Sequence, residues 1–519
     1  MRIAAVDMGS NSFHLVVVEA HPDGSFDTLL REKAMLRLGE VVTATGSIPE
    51  TDVERVLDTM RRFAALAASI DAVEVVACAT SALREADNSS AVVDAIRDET
   101  GIDVEVISGR REAELIFAAV RESVALEPAP AVCFDLGGGS LEVMVGDNAT
   151  LQWSTSVHLG AARLATLFLA SDPPTTDELA ALSARVLEVL DPIAEEVATF
   201  EPKCMVGTSG TFLDLARMAA AVRTGAVPQS VNQLVVGIDE LRQVHERLIT
   251  TPAAGRAKVG GLDARRADQI PVGSQLLLTV MDRFGFDQLM VGEWALREGI
   301  VLDAIRRHEV AEWTNDAETV RRSSVLGLAR RCNVDEVHAA QVARLALALF
   351  DALAGLHHLP TTDRELLEHA AFLHDIGEHV AVEGHHKHTA YLIEHGKLRG
   401  FDPEAVDVVA TLGRYHRGSD PKSSFEPFGR LSSARRSEVL RLLAMLRLAD
   451  GLDRGHAAAV DMVEADLSRA DVVRLLVTPS DDVDLEVWGV RRKRDLFERV
   501  FERRLDVVAA DHPSLAGGQ

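Results

Sequence analysis

Apolar residues along the first 300 positions fall into two textures. Some form short unbroken runs, and others recur every three or four positions over longer stretches. Unbroken runs bounded by Gly, Asp or Pro read as buried strands, and the 3.6-residue rhythm reads as amphipathic helices. Residues 3–6, 13–19 and 26–33 are therefore expected as strands, with His21-Pro-Asp-Gly24 splitting the last two. A helix is expected over 51–70, where Val53, Val56, Leu57, Met60, Phe63 and Ala64 share a face. A strand at 73–79, a helix at 89–100, a strand at 104–107 and a helix at 112–124 follow. This βββαβαβα order begins again at 131–134, with strands at 141–145 and 150–157 and helices near 161–169 and 176–200. A strand at 203–206 then runs into Gly207-Thr-Ser-Gly-Thr211. Two rounds that share pattern but not sequence suggest an old internal duplication.

Beyond about residue 302 the texture changes: helical periodicity takes over, as in 339–353 and 437–448, and histidine becomes frequent. Late in the chain, 472–478 and 484–487 read as a small hairpin, 495–508 as a helix and 514–519 as a frayed end. The chain is thus divided into units at 1–125, 126–302, 303–470 and 471–519.

Two strand ends carry the most informative chemistry, Asp7-Met-Gly-Ser-Asn-Ser-Phe-His14 and Asp135-Leu-Gly-Gly-Gly-Ser-Leu-Glu142. An apolar strand that ends in Asp and opens into a small-residue turn presents backbone N–H groups to phosphate oxygens. The carboxylate can meanwhile hold Mg²⁺. Gly9, Gly137, Gly138 and Gly139 let the backbone approach a phosphate without a Cβ in the way. Ser10, Asn11, Ser12 and Ser140 add side-chain donors, and Asp7 and Asp135 are the Mg²⁺ candidates. Two such turns about 130 residues apart suggest facing lobes with a phosphate-filled cleft between them.

Composition narrows the options. A net charge of −26 argues against nucleic-acid or anionic-membrane binding, and 4% aromatics leaves few base-stacking platforms. The cysteines (Cys78, Cys133, Cys204, Cys332) are far apart, and Cys78 and Cys133 read as small core residues within apolar runs. There is no signal-peptide pattern and no apolar run near the ~20 residues a membrane span needs, so a cytoplasmic protein is expected.

The first 300 residues closely resemble the exopolyphosphatase/guanosine pentaphosphate phosphohydrolase (Ppx/GppA) family, part of the larger actin/Hsp70/sugar-kinase group. The resemblance rests on 7–14, Thr80-Ser-Ala-Leu-Arg84, Ile107-Ser-Gly-Arg-Arg-Glu-Ala113, 135–142 and 207–211. Arg266-Ala-Asp268 and Leu296-Arg-Glu-Gly299 are weaker matches. It implies an α/β fold with two ribonuclease H-like (actin-like ATPase) lobes of mixed sheets. It also implies removal of the terminal phosphate of inorganic polyphosphate, or of the 5′-γ-phosphate of guanosine pentaphosphate, with Mg²⁺. A phosphate-sensing regulator without turnover is the alternative from another class. By this resemblance Arg84 grips phosphate and Glu112 orients or deprotonates the attacking water. Glu142 is a second candidate for metal or water positioning, and Ser209, Gly210 and Thr211 belong to the phosphate channel. Many relatives carry an acidic residue just before Glu112; here it is Arg111, which would add positive potential at the cleft rim.

Residues beyond about 320 resemble an HD domain, a helical metal-dependent phosphohydrolase fold. The match is His338, then Phe372-Leu-His-Asp-Ile-Gly377, then Leu446-Arg-Leu-Ala-Asp-Gly-Leu-Asp453. It implies an all-α HD-type domain followed by a small C-terminal α/β element, with His338, His374, Asp375 and Asp450 as metal ligands. His388 and His416 stand where two-metal members supply further ligands. Neutral imidazoles with carboxylates suit Mn²⁺, Fe or Zn²⁺. Resemblance to long family members also implies a homodimer. A basic run, Arg491-Arg-Lys-Arg494, with Arg435, Arg436, Arg441, Arg447 and Arg454, could tether a long anionic chain.

Overall fold

The computed structural model describes residues 1–21, 25–308, 317–424 and 426–509. Positions 22–24 of the first turn and the end at 514–519 lie outside these described residues. The chain forms two compact units, Met1–Val320 and Arg321–Gln519.

The first unit holds two sheets of the same construction. In the first, β1 (Arg2–Met8) pairs antiparallel with β2 (Ser12–Ala20), which pairs antiparallel with β3 (Phe26–Met35). β4 (Glu74–Ala79) and β5 (Val104–Val106) extend the other edge in parallel, giving the order β3-β2-β1-β4-β5. The second sheet repeats this with β6 (Ala131–Leu136), β7 (Leu141–Gly146), β8 (Leu151–Val157), β9 (Cys204–Thr208), β10 (Val235–Gly237) and β11 (Gln288–Val291). Its order is β10-β11-β9-β6-β7-β8, so β8-β7-β6-β9-β11 matches the first sheet strand for strand and β10 is an added edge. This is the ribonuclease H-like arrangement expected of the two lobes. β10, β11 and the helices Ile238–Thr250 and Ile270–Phe284 complete a lobe whose later elements the periodicity left unassigned.

Central strands are apolar on both faces because helices cover both. All six residues of β6 are buried. One core, with Ile3, Ala5, Ala131, Cys133, Ile116 and Ile300, joins the two sheets through helices Gly109–Ser123 and Leu296–Arg307. Separate cores fill the outer faces, against Glu50–Ser69 in the first lobe and against Thr176–Ala198 and Ile270–Phe284 in the second. The four cysteines are free, and Cys78 and Cys133 are core residues as expected.

The second unit is mainly helical around one core, but its end differs from the expected pattern. The hairpin is made by β12 (Val460–Asp466) and β13 (Val472–Pro479), so it straddles the expected boundary at 470/471. Residues 484–487, expected as a strand, begin the helix Asp484–Phe501; residues 504–508, expected as helix, belong to β14 (Arg504–Ala509), parallel to β13. The alternation of Asp484-Leu-Glu-Val487 imitates a strand. The buried residues Val483, Val490 and Phe497, seven apart, define a helical stripe. No helix among the described residues is long and apolar enough to cross a membrane.

Candidate functional site

In the first unit both aspartate-led turns arrive at one cavity of about 310 Å³. Asp7, Asp135 and Glu112 all line it, together with Gly9, Ser10, Asn11, Ser12, Gly137, Gly138, Gly139, Ser140, Ser209, Gly210 and Thr211. The turns interlock closely. A Cβ on Gly138 would lie 3.1 Å from the Asn11 Cβ, and one on Gly139 would collide with the Ser81 and Ser10 hydroxyls. The carbonyls of Gly137 and Gly138 accept from the first amides of helix Ala161–Phe168, Ala161 N at 2.9 Å and Ala162 N at 3.0 Å. The Gly138 and Gly139 N–H groups find no acceptor among the described residues. Both glycines line the cavity, so these amides are candidate donors to a bound anion. Across the cleft, Asn11 Nδ2 donates to Gln269 Oε1 (3.2 Å), while the buried Asn11 Oδ1 has no partner.

The acidic residues are held in a low-dielectric setting. Asp135 and Glu142 face each other in the β6–β7 register. Glu142 is buried, accepts a hydrogen bond from Ser156 Oγ (2.8 Å) and lies outside the cavity wall. Helix Gly109–Ser123, capped by Ser108, starts three residues earlier than expected and carries Glu112 in its first turn. Burial pushes Asp7 up to about 7, with Arg297 opposing. Burial, then Glu142 and Asp7, raises Asp135 well above the carboxylate range. Glu112 is raised by burial and by Glu142, against the pull of Arg84. Buried acids at this density are relieved by a cation, which makes Asp7 and Asp135 candidate ligands for a divalent ion.

Arg84 has a different place from the one expected. It does not line the cavity; its Nη1 donates to Ile107 O (2.8 Å) and to Glu112 Oε2 (3.0 Å), fixing the carboxylate. Arg111 does not supply the cleft rim either, because Asp303 (2.7 Å) and Glu114 (3.7 Å) neutralise it. The cations that do line the cavity are Lys33, Arg217, Arg266 and Arg297, each beside a carboxylate: Asp214 for Arg266 (2.7 Å) and Arg217 (3.2 Å), Glu298 for Arg297 (2.8 Å) and Asp263 for Lys33 (3.8 Å). Burial and then Arg266 lower Lys33 to about 8. Arg266 lies across Gly210, where any Cβ would collide with its guanidinium, and Ser209 takes the left-handed conformation (φ 69°) with its hydroxyl donating to Leu136 O (2.7 Å). Only the matches at 266–268 and 296–299 hinted at Arg266 and Arg297 in the sequence; nothing there marked Lys33 or Arg217.

The second unit gathers His338, His374 and Asp450 in one group and Asp375, His385 and His416 in another. Each of these residues sits at a helix end. His338 opens Glu336–Ala352, His374 and Asp375 follow Thr361–Leu373, and His385 opens His385–His395. His416 follows Pro403–Tyr415, and Asp450 lies in the last turn of Ser433–Gly451. The histidine that joins these groups is His385, one helical turn before the expected His388, which is half-buried and belongs to neither group. Gly384, in the left-handed conformation, starts the helix so that His385 points inward.

Every imidazole is oriented through Nδ1: His338 to Asp453 Oδ2 (2.8 Å), His374 to Ala371 O (2.6 Å), His385 to Val382 O (3.1 Å) and His416 to Gly413 O (2.7 Å). All four Nε2 atoms then converge on Asp375. Its Oδ2 lies 3.3 Å from His374 and 3.8 Å from His338, and its Oδ1 lies 3.1 Å from His385 and 3.3 Å from His416. His338 Nε2, His374 Nε2 and Asp375 Oδ1 are buried without hydrogen-bond partners. His385 Nε2 and His416 Nε2 lie 3.2 Å from each other, and imidazoles tethered at Nδ1 with Nε2 turned toward a shared carboxylate match the donor set of a metal-ligand shell. Of the basic residues expected to tether a polyanion, Arg435 is occupied by Asp363 (2.7 Å), whereas Arg447, Arg454, Arg492 and Lys493 converge on a single cavity.

Comparison with known proteins agrees with this geometry. Residues 17–308 match the Ppx/GppA phosphatase family and residues 320–481 match Ppx/GppA phosphatase, domain III. Exopolyphosphatase 1 of Mycobacterium tuberculosis is 35% identical over 303 residues, 58% of this chain and 88% of the relative. The crystal structure of an exopolyphosphatase from Cytophaga hutchinsonii has a TM-score of 0.56 at 31% identity, covering 60% of this chain and 100% of that one. A Ppx/GppA family member from Aquifex aeolicus has a TM-score of 0.51 at 26% identity, covering 59% of this chain and 98% of its own. With more than half its length matched, this chain belongs to the Ppx/GppA phosphatase family.

Proposed function

We propose that the first unit is an exopolyphosphatase that removes the terminal phosphate of inorganic polyphosphate by water attack. The observation that carries this reading is the shared cavity, where Asp7, Asp135 and Glu112 meet bare glycine amides and four cationic side chains. Asp7 and Asp135 would hold Mg²⁺, which when bound neutralises phosphoryl oxygens during transfer. The Gly138 and Gly139 amides, with Lys33, Arg266 and Arg297, grip the terminal phosphate. Glu112, aimed by Arg84, orients a water and takes its proton as the oxygen bonds to phosphorus and the bridging P–O bond breaks. Glu142, opposite Asp135, sustains the local charge and supports the metal ligand rather than touching the substrate. Among the described residues, no Phe, Tyr or Trp lines the cavity, which favours a bare phosphate chain over a nucleoside end.

Guanosine pentaphosphate is the alternative substrate, since its terminal phosphate calls for the same chemistry. Phosphate release from long polyphosphate and from guanosine pentaphosphate, measured side by side with Mg²⁺, tests the reading. Preferred turnover of polyphosphate is expected, and turnover of neither would defeat the proposal. For the second unit, the groups His338, His374, Asp450 and Asp375, His385, His416 support an HD-type centre in which they would hold Mn²⁺, Fe or Zn²⁺ as Lewis acids. Homodimerisation rests on resemblance to long family members alone.

A further inference from the structure

The second unit contains a cavity of about 750 Å³, within the ~300–1,000 Å³ range of small-ligand sites. One wall is the ligand cluster, through Asp375, His416 and Asp450. The opposite wall is helix Asp484–Phe501, beyond the residues matched by the family's domain III. That helix is locked in place by a glycine pair: a Cβ on Gly489 would lie 2.5 Å from Gly451 O, beside Asp450. Close backbone packing brings Lys493 onto Asp450 and turns Trp488 and Arg492 toward the cavity.

Arg417, Arg454 and Arg492 line this space without an ion-pair partner among the described residues. Arg447 and Arg499 share Asp420 instead. Asp375, Glu378, Asp420, Asp450 and Asp495 line the same hollow, but the first four are engaged by His385, Arg447 and Lys493, so the three unpaired guanidiniums outweigh Asp495 and favour an anionic ligand. The remaining feature is aromatic. Trp488 is 47% exposed and Arg492 lies 5.1 Å from its ring centroid, so a flat, polarised surface stands beside the cations. In a chain with 4% aromatics, an exposed indole at a polar cavity is unexpected as packing. Bases stack well on such surfaces.

We infer that this cavity is a second ligand site, separate from the cleft of the first unit, which binds a nucleoside polyphosphate. Its base lies on Trp488, and its phosphates extend past Arg417, Arg454 and Arg492 toward the His–Asp cluster. The inference rests on the proposed metal centre, which the innermost phosphate would meet.

The test uses the full-length, metal-loaded protein, with the β,γ-methylene analogues of ATP and GTP and inorganic tripolyphosphate as probes. Metal content is measured on the same preparations. An analogue should change a tryptophan fluorescence signal that is present in the wild type and missing in Trp488→Phe. Trp488→Ala should weaken analogue binding about fivefold or more, with Trp488→Tyr restoring most of it. Arg454→Glu/Arg492→Glu should weaken it more than tenfold. Polyphosphate turnover in the first unit should stay within about twofold in Trp488→Phe, Trp488→Tyr and Trp488→Ala. Tripolyphosphate binding as tightly as the analogues, with no effect of Trp488→Ala, overturns the inference. A metal-loaded protein whose Trp488 stays silent overturns this inference alone, whereas a protein that retains no metal overturns the metal reading as well.

Discussion

Replacing Glu112 by Gln isolates the chemical step from the fold that supports it. The amide has nearly the volume of the carboxyl, and its oxygen can keep accepting from Arg84 Nη1, now 3.0 Å from Glu112 Oε2. What disappears is the ability to take a proton from water. General-base assistance contributes roughly 10²–10⁴-fold, about 3–5 kcal/mol of barrier. Phosphate release from long polyphosphate should therefore fall by about that factor in kcat, with KM changed only a few-fold because the glycine amides and cations remain. Stability should not fall. Burial and Glu142 already push Glu112 toward its neutral form, so a neutral amide relieves repulsion and the melting temperature should hold or rise. Glu142→Gln supplies the comparison: outside the cavity wall, it should cost kcat much less than Glu112→Gln. A Glu112→Gln enzyme within about threefold of wild-type kcat, folded and Mg²⁺-saturated, would remove Glu112 from the mechanism.

Other consequences can be checked independently. His385→Ala should lose metal from the second unit while His388→Ala keeps it, as read by metal content after dialysis; Asp453→Asn should lower metal affinity about 10–100-fold through the His338 orientation. In metal-free protein Asp7 is raised from 3.8 to about 7, so its contribution is fully present below the unfolded value near 4 and is lost as pH rises through 7. Relative to Asp7→Asn, wild type should thus lose up to about 4 kcal/mol of first-unit stability between pH 4 and pH 8, and Mg²⁺ should restore part of it; parallel stability curves would contradict this. Gly160→Ala would force a methyl into the backbone of Gly138 and Gly139, so it should cut polyphosphate turnover at least about tenfold by opening the turn, whereas the same change at Gly327, which has open space and no positive φ, should leave turnover intact.

Local signals made much of this molecule legible. The strand–Asp–glycine turns are short and self-contained, so Asp7 and Asp135 could be placed, and the duplicated strand order foretold two similar lobes. Glu112 was named by the family resemblance at 107–113, and the structure puts it in the first turn of a helix that Ser108 caps. The cations were harder, since Lys33, Arg217, Arg266 and Arg297 come from four separate elements and only tertiary packing brings them together. Arg84 was read as a phosphate ligand because motifs report identity and not contacts; its partner is Glu112. The His385/His388 ambiguity has a similar origin. In a histidine-rich first turn, the helix start at Gly384 decides which ring faces inward, and periodicity fixes helix starts poorly.

The claim on which the first-unit account depends is that Asp7 and Asp135 hold a divalent cation between the two turns. Anomalous diffraction from crystals of this protein grown with Mn²⁺ and phosphate measures that directly. The expected result is a Mn²⁺ peak bounded by the Asp7 and Asp135 carboxylates, with a phosphate oxygen within reach and the Gly138 and Gly139 amides on the same phosphate. Phosphate seated there with no metal beside either aspartate, in crystals whose second unit is loaded with Mn²⁺, would contradict the account.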